Sequence, residues 1–225
     1  MKTRLSMISV LACFGVGLVC WHIGSATPAA ADETSAMSAV TAAIPALGGE
    51  AKYVASKKCK ACHKKEFESW ESQKKAKTFE LLLPGQATES KEKHGLDPNK
   101  DYSTDAGCLK CHSTGFGMEG GYAVPDAADE KAVKKAKKQA NVGCECCHGP
   151  GGEYTKLHKE IKKSKRNYKH AEMLAAGVWE IEEARCTTCH NDQSPTYDAV
   201  NNPFNFEEMK KSGGHEIFPL KQRED

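Results

Sequence analysis

The stretch VGCECCHGPGG, residues 142–152, places three cysteines within four positions and follows the last of them with a histidine. Cys144 and Cys147 are separated by two residues and His148 comes next, which makes a Cys-x-x-Cys-His motif. The motif occurs four times in the 225-residue chain, at first-cysteine separations of 49, 36 and 42 residues, and uses eight of the eleven cysteines. The other copies are Cys59, Cys62 and His63; Cys108, Cys111 and His112; and Cys186, Cys189 and His190. We therefore expect four sites of the same kind.

The Cys-x-x-Cys-His spacing is the attachment signature of c-type haem. One helical turn brings both thiols under the two vinyl groups of one porphyrin, where they form thioethers, and the next side chain points back at the iron. A neutral imidazole is a good axial ligand, and its second ring nitrogen can hydrogen-bond and orient the ring. We predict four covalent haem c groups, held by the eight motif cysteines, with the four motif histidines as iron ligands.

Three other uses of paired cysteines compete with haem attachment. Zinc sites use Cys-x-x-Cys pairs, a secreted protein can use eight cysteines as a disulfide framework, and redox enzymes carry a single Cys-x-x-Cys. None of these uses explains a histidine at the same offset in all four copies. The pattern therefore favours haem.

The N-terminus has the pattern of a secretory signal peptide. Lys2 and Arg4 precede an apolar run over residues 5–23, and a small-residue cleavage site follows, best placed after Ala31. An uncleaved membrane anchor is the alternative, because this apolar run is long for a signal, and a lipoprotein at Cys20 is disfavoured by Val19. We predict a signal peptide over residues 1–31 and a periplasmic protein, with a membrane-anchored form as the alternative.

Composition predicts that haem supplies much of the core. Residues 32–52, rich in Ala, Ser, Thr and Gly, are interpreted as a flexible lead-in, and residues 53–225 as a single tetrahaem domain. Aromatic residues are only 7% of the chain and its mean hydropathy is −0.59. A chain so poor in apolar side chains needs its cofactors to fold, so we expect an unfolded or molten apoprotein.

The predicted fold class is mainly α, a multihaem cytochrome c with short helices and long irregular connections wrapped around four haems. The helical segments are 57–83, ending at Pro84 and Gly85; 128–139; 172–190; and a short tail helix before His215. Residues 86–107 are interpreted as a turn-rich connection, and no strand of any length is expected. Four glycines within residues 113–122 imply backbone lying close against something flat.

Several stretches besides the motifs resemble the tetrahaem cytochrome c-554 family. They are KKCKACHKKEFESW (57–70), LDPNKDYSTDAGCLKCHSTGFGMEGGY (96–122), VGCECCHGPGG (142–152) and EEARCTTCH (182–190). The resemblance extends over residues 53 to about 216. It implies porphyrins packed in stacked and offset pairs, so that electrons can pass along four irons.

The resemblance also implies second iron ligands. His158, eleven residues after Cys147, pairs with His63 on the first haem. His215 in the tail pairs with His190 on the fourth haem. The second haem of the family is five-coordinate, so His112 has no partner.

The third haem departs from the family pattern. Its second ligand normally comes from a histidine in the helix after the first motif, but this chain has Lys75 there, within SWESQKKAK. A buried lysine can ligate as a neutral amine, so Lys75 is a tentative sixth ligand. The alternatives are an open iron, or ligation by His94 or His170.

Two further features have both a structural and a functional interpretation. Cys146, inside the third motif, is either a small space-filling residue or a reactive thiol that forms an intermolecular link. Residues 156–170 contain seven Lys or Arg and one acid, Glu160. This run is either a solvated face or a docking patch for an acidic redox partner. No nucleic-acid partner is expected for an exported haem protein.

These observations predict a periplasmic electron-transfer protein, with no catalytic residues and no firmly implied small-molecule substrate. Its partners would be periplasmic redox proteins or a membrane quinol-linked complex. One alternative is a haem enzyme that reduces a small nitrogen oxide, such as nitric oxide, at an open-coordinate haem. The other is a subunit of a larger multihaem assembly. The lack of a Cys-x-x-Cys-Lys motif and of an acid/base set favours the carrier over the enzyme.

Overall fold

The structure is a computed structural model that describes residues 52–212 and 214–225. By its internal contacts the chain divides into residues 1–45 and 46–225, and every described residue belongs to the second unit. The predicted signal peptide, and all but Lys52 of the predicted lead-in, lie outside the described residues. No helix of the described part is long and apolar enough to cross a bilayer.

Short helices joined by irregular segments make up the described part of the chain, which confirms the predicted fold class. Its contacts between extended segments are isolated bridges, such as that between Ser113 and Ala140. The first half contains α1 (Ser56–Lys60), α2 (Lys64–Glu71), a 3₁₀ helix (Lys74–Leu82), α3 (Thr88–Lys93), α4 (Ala106–His112) and α5 (Glu130–Gln139). The second half contains α6 (Cys144–His148), α7 (Tyr154–Ser164), α8 (His170–Ala175), α9 (Glu183–Cys186) and α10 (Phe206–Ser212).

The single helix predicted over residues 57–83 is three separate helices. His63 has non-helical backbone angles (φ −112°, ψ 57°), which separates α1 from α2. Gln73 is extended (φ −83°, ψ 158°) and separates α2 from the 3₁₀ helix. The bend after α2 lets the indole of Trp70 donate to the carbonyl of Val142 at 3.0 Å. A long-range contact therefore replaces the helical continuation that the local sequence favours.

The helix predicted over residues 172–190 is also interrupted. Gly177 adopts φ +97°, a conformation that ends α8, and non-helical chain then leads to α9. The other two predicted helices are present as α5 and α10. The side chain of Asp129 caps α5 by accepting hydrogen bonds from the backbone N–H groups of Lys131 and Ala132.

The described residues form two small apolar clusters rather than one large core. The first contains Leu82, Tyr102, Leu109, Tyr122 and Ala136, and the second contains Ile161, Tyr168 and Met173. The flat object beside the glycine-rich segment is the ring of Tyr53. Gly115 has φ +63°, and a Cβ there would lie 2.8 Å from that ring. The glycine therefore allows the N-terminal end of the domain to pack on the segment after the second motif.

Candidate functional site

Each motif lies on a short helical turn that brings its two thiols to one side. In the first motif the N–H groups of Cys62 and His63 both donate to the carbonyl of Cys59, at 3.1 and 2.9 Å. The fourth motif repeats this arrangement around the carbonyl of Cys186. The second and third motifs lie on α4 and α6, which end at their histidines. All nine described cysteines are free thiols, so the chain offers the pairs to a ligand.

The first motif is in contact with the third. The thiol of Cys59 hydrogen-bonds to Cys144, which raises the pKa of Cys59 and lowers that of Cys144 to about 7. The serine at the start of α1 strengthens this contact, because Ser56 Oγ accepts a hydrogen bond from the N–H of Cys144 at 3.1 Å. The two motifs, 85 residues apart in sequence, therefore form one structural unit.

The second motif is in contact with the fourth in the same way. A hydrogen bond between Cys111 and Cys189 raises the pKa of the former and lowers that of the latter to about 6.

The third motif connects the two units. Burial raises the pKa of Cys147, and the nearby Cys186 of the fourth motif raises it further. The motifs therefore follow one another in space in the order first, third, fourth, second.

Two motif histidines each face a second imidazole at the separation that one metal ion requires. A metal–imidazole bond is about 2.0 Å, so two rings on opposite sides of one metal have centroids about 6 Å apart. The rings of His63 and His158 are 5.5 Å apart and inclined by 45°. Those of His148 and His215 are 6.2 Å apart and inclined by 28°. The pairing of His158 with His63 is thus the one that the resemblance implied.

The resemblance implied His190 as the partner of His215, whereas the structure sets His215 against His148 of the third motif. The ring stacked on His190 is that of Phe204, with centroids 4.8 Å apart. The tail turns back toward α2, where the N–H of Glu216 donates to Ser69 Oγ at 2.9 Å. This contact carries the preceding His215 to the unit formed by the first and third motifs.

Lys75 is closer to the fourth motif than the prediction placed it. Burial lowers the pKa of His190, and the Lys75 ammonium lowers it further. Burial raises the pKa of Cys186, and the same ammonium opposes this rise. The hydrogen bond with Cys111 lowers the pKa of Cys189, and the ammonium lowers it too. It also acts on Cys147, so it lies where the third and fourth motifs meet, with most of its neighbours in the fourth.

The remaining histidines have other surroundings. Nδ1 of His112 lies 2.6 Å from the carbonyl oxygen of Thr78, which as an acceptor would hold the proton on Nδ1 and leave Nε2 as the ligating nitrogen. Among the described residues, no second imidazole faces His112. His170 begins α8 with Nδ1 3.6 Å from the carboxylate of Glu180, and His94 follows the last residue of α3.

Burial keeps the imidazoles of His148 and His158 neutral. Together with smaller effects of the neighbouring His215 and His63, it lowers the pKa of His148 to about 4. Burial also lowers the pKa of His158, with a further effect of His63. A neutral imidazole has the lone pair that iron requires, so these rings are suited to ligation.

A buried carboxylate inside the third motif was not foreseen from the sequence. Glu145 is fully buried and accepts hydrogen bonds from three backbone N–H groups. The donors are Val54 at 2.8 Å, Ala55 at 2.7 Å and Gly151 at 2.7 Å. Glu145 therefore joins the start of the domain and the glycine-rich turn to the third motif. Acidic residues are almost always exposed, and no pattern in the sequence marks this one as buried.

Cys146 is partly buried and contacts the segment after the second motif. Its Sγ lies 3.5 Å from Thr114 Oγ1 and 3.8 Å from the carbonyl oxygen of Ser113. Burial raises the pKa of the Cys146 thiol to about 12, so it stays protonated. These surroundings support the space-filling interpretation over a reactive thiol.

The donor set fits haem c. It combines four thiol pairs, each on one helical turn, with imidazoles at the spacing expected across a single metal ion. The fold and this site define the class of protein, a multihaem c-type cytochrome.

Comparisons with known proteins agree with this class. The family described as cytochrome c554 and c-prime matches residues 58–149. Cytochrome c-554 of Nitrosomonas europaea is 36% identical over 149 residues, which are 64% of this chain and 60% of that relative, somewhat under two thirds of its length. The solved structure of reduced cytochrome c554 from the same organism superimposes with a TM-score of 0.64 at 33% identity, covering 79% of this chain and 91% of that one. The chain belongs to the cytochrome c-554 family, and its cofactors are four haem c groups.

Proposed function

We propose that this chain is an electron carrier that relays electrons through its four haems in the order first, third, fourth, second. The observation that carries the proposal is the contact order of the motifs, Cys59 with Cys144, Cys147 beside Cys186, and Cys189 with Cys111. Each bound haem supplies an iron that gains or loses one electron. The protein arranges these four sites in a continuous series, which is the arrangement that a relay needs.

The same contacts support a proposed set of residues for each haem. The thioethers form on Cys59 and Cys62, Cys108 and Cys111, Cys144 and Cys147, and Cys186 and Cys189. When haem is bound, His63 and His158 would hold the iron of the first haem, and His148 and His215 that of the third. His190 and Lys75 would hold the iron of the fourth haem, and His112 alone that of the second.

The chain's own groups orient these ligands and limit water access. The rings of Tyr154 and Tyr168 meet His158 edge-on, with centroids 6.3 and 6.2 Å away. The carbonyl of Thr78 accepts from His112, and that of Glu216 lies 2.7 Å from Nδ1 of His215. Hydrogen bonds to Nδ1 hold each ring with Nε2 available, and they tune the basicity of the ligand.

The location and partners are proposed from the chemistry of the cofactor. Haem c is attached outside the bacterial cytoplasm, and the first 31 residues have the pattern of a signal peptide, so we assign the protein to the periplasm. Its partners would be redox proteins of that compartment or a membrane quinol-linked complex.

A second candidate function rests on His112. Its ring has no imidazole opposite it among the described residues, which suits an iron that binds a small molecule such as nitric oxide. A shift of the high-spin spectrum on adding nitric oxide, with turnover of the gas under reducing conditions, would support this activity. A spectral shift without turnover would leave the carrier as the sole function.

The relay order is tested by injecting electrons at its two ends. A photoactive ruthenium complex is attached to a cysteine that replaces either Lys65 or Lys100. Lys65 lies beside the first motif, and Lys100 is close enough to the second motif for its charge to lower the pKa of Cys108. After a flash, the five-coordinate haem of His112 should be reduced last from position 65 and first from position 100. The same order of reduction from both positions would contradict the relay.

A further inference from the structure

The first motif is surrounded by lysines. Residues 57–65 contain five lysines and no acid, and all five side chains are exposed. Three exposed lysines of α7 join them, because α7 packs against this motif through His158. We call this surface the lysine collar; its members are Lys57, Lys58, Lys60, Lys64, Lys65, Lys159, Lys162 and Lys163.

The two halves of the collar meet at an exposed haem-attachment cysteine. Nζ of Lys162 lies 3.9 Å from Sγ of Cys62, and Cys62 itself is exposed. A haem bonded to Cys62 therefore has one edge at the protein surface, within the collar. Since the first haem ends the proposed relay, this edge is a place where electrons can enter or leave.

The acids near the collar do little to neutralise it. Glu160, the one acid of the basic run, is bound by the guanidinium of Arg166 at 3.2 Å. Glu68 forms an ion pair with Lys64 at 3.7 Å, and Glu66 is directed toward His63 at 3.9 Å. The fourth motif has the opposite character, because three glutamates and one arginine lie within residues 180–185 just before it. The surface around the first motif is thus more positive than the segment that precedes the fourth.

An apolar segment lies beside the collar. Ile217 in it is 82% exposed and Leu220 is 41% exposed, and contacts on either side of Ile217 hold the segment to α2. The N–H of Glu216 donates to Ser69, and the ammonium of Lys65 lies 5.4 Å from the centroid of the Phe218 ring. A short exposed apolar segment beside a ring of lysines suits the apolar centre and charged rim of a protein interface.

We propose that the lysine collar is the docking surface for an acidic redox protein, which exchanges electrons with the first haem through the edge at Cys62. This proposal rests on the proposed function. A basic ring around an exposed redox centre steers a negatively charged partner to the point of transfer and raises the association rate at low ionic strength. The partner should present carboxylates around its own redox centre.

The test uses the fully reduced holoprotein and two small oxidants of opposite charge. Hexacyanoferrate(III) is anionic and hexaammineruthenium(III) is cationic, and each takes one electron from the protein. The collar variant is Lys58→Glu with Lys163→Glu. The matched control is Lys131→Glu with Lys135→Glu on α5, which makes the same change in net charge with exposed lysines.

At about 10 mM ionic strength we expect the collar variant to react about tenfold more slowly with hexacyanoferrate(III) and faster with hexaammineruthenium(III). The control should change less than about twofold, and the difference should vanish near 0.5 M salt because charge is then screened. Equal rates in the two variants would overturn the collar as the site of exchange.

Two further measurements test the relay and the nature of the partner separately. An equilibrium redox titration should find four electrons per molecule in wild type and in both variants. A smaller number in wild type would contradict the relay itself, whatever the collar does. Wild-type protein should not co-sediment with phosphatidylserine-containing vesicles at physiological salt. Binding that the collar variant loses would assign the surface to anionic lipid and overturn the proposal of a protein partner.

Discussion

The imidazole rings of His148 and His215 face each other with centroids 6.2 Å apart and planes inclined by 28°. These residues are 67 positions apart in sequence, and the contact between Glu216 and Ser69 brings the tail to the third motif. This separation fits one metal ion between the two rings, and the proposal that His215 ligates the third haem rests on it.

Replacing His215 with alanine should open the third haem. We expect one low-spin signal to be lost, a high-spin signal to appear, and carbon monoxide binding by the reduced protein to rise from one to two molecules per chain. His170→Ala is the matched control, because His170 lies beside Glu180 and should leave both readings unchanged. An unaltered spectrum in His215→Ala would show that this residue ligates no haem.

Replacing Lys75 with alanine should open the fourth haem in the same way. Lys74→Ala is the control, since Lys74 is its exposed neighbour in the 3₁₀ helix. The double variant His215→Ala with Lys75→Ala should bind three molecules of carbon monoxide. Two molecules would mean that only one of the two residues ligates an iron, and a single molecule in Lys75→Ala would exclude lysine ligation.

Glu145→Gln should destabilise the holoprotein by about 3 kcal/mol, because an amide cannot accept from three backbone donors as a carboxylate does. Denaturant unfolding, followed by far-UV circular dichroism, measures the difference. Glu182→Gln changes an exposed acid and should shift the midpoint very little. Similar midpoints for the two variants would show that the buried carboxylate is not a stabilising contact.

Substituting Cys144 and substituting Cys146 should have different effects on the attachment of the third haem. Cys144→Ser should leave the third haem with a single thioether, which changes the α-band of the reduced pyridine haemochrome. Cys146→Ser should retain both thioethers and cost about 1 kcal/mol, because the hydroxyl can replace the contacts of the thiol with Thr114 and Ser113. A normal spectrum in Cys144→Ser and an altered one in Cys146→Ser would reverse the assignment.

The motifs and the short-range signals predicted much of the fold. The helix over residues 128–139, the Pro84–Gly85 stop and the tail helix were all readable because they depend on residues a few positions apart. The breaks at Gln73 and Gly177 were missed because each follows from packing between distant segments or from a glycine that a helical pattern tolerates. Helix propensity alone does not identify such positions.

In the candidate site, too, the features set by local sequence were predictable and those set by long-range contacts were not. Covalent attachment is encoded within five residues, so the sequence indicated it directly. The second ligand of an iron would come from a distant part of the chain. Its identity depends on how the tail and the 3₁₀ helix fold back onto the motifs. Thus the neighbours of His148 and His190 could be identified only from coordinates. Glu145 was missed because nothing in its local sequence distinguishes it from a solvated acid.

The central claim, that each of the four motifs holds one haem, is tested most directly by mass spectrometry of the purified, matured protein. The intact mass should equal the processed chain plus four haems, and fragments of proteolytic peptides should carry one haem on each motif, through Cys144 and Cys147 in the third. An intact mass with fewer than four haems, or a haem linked through Cys146, would contradict the account.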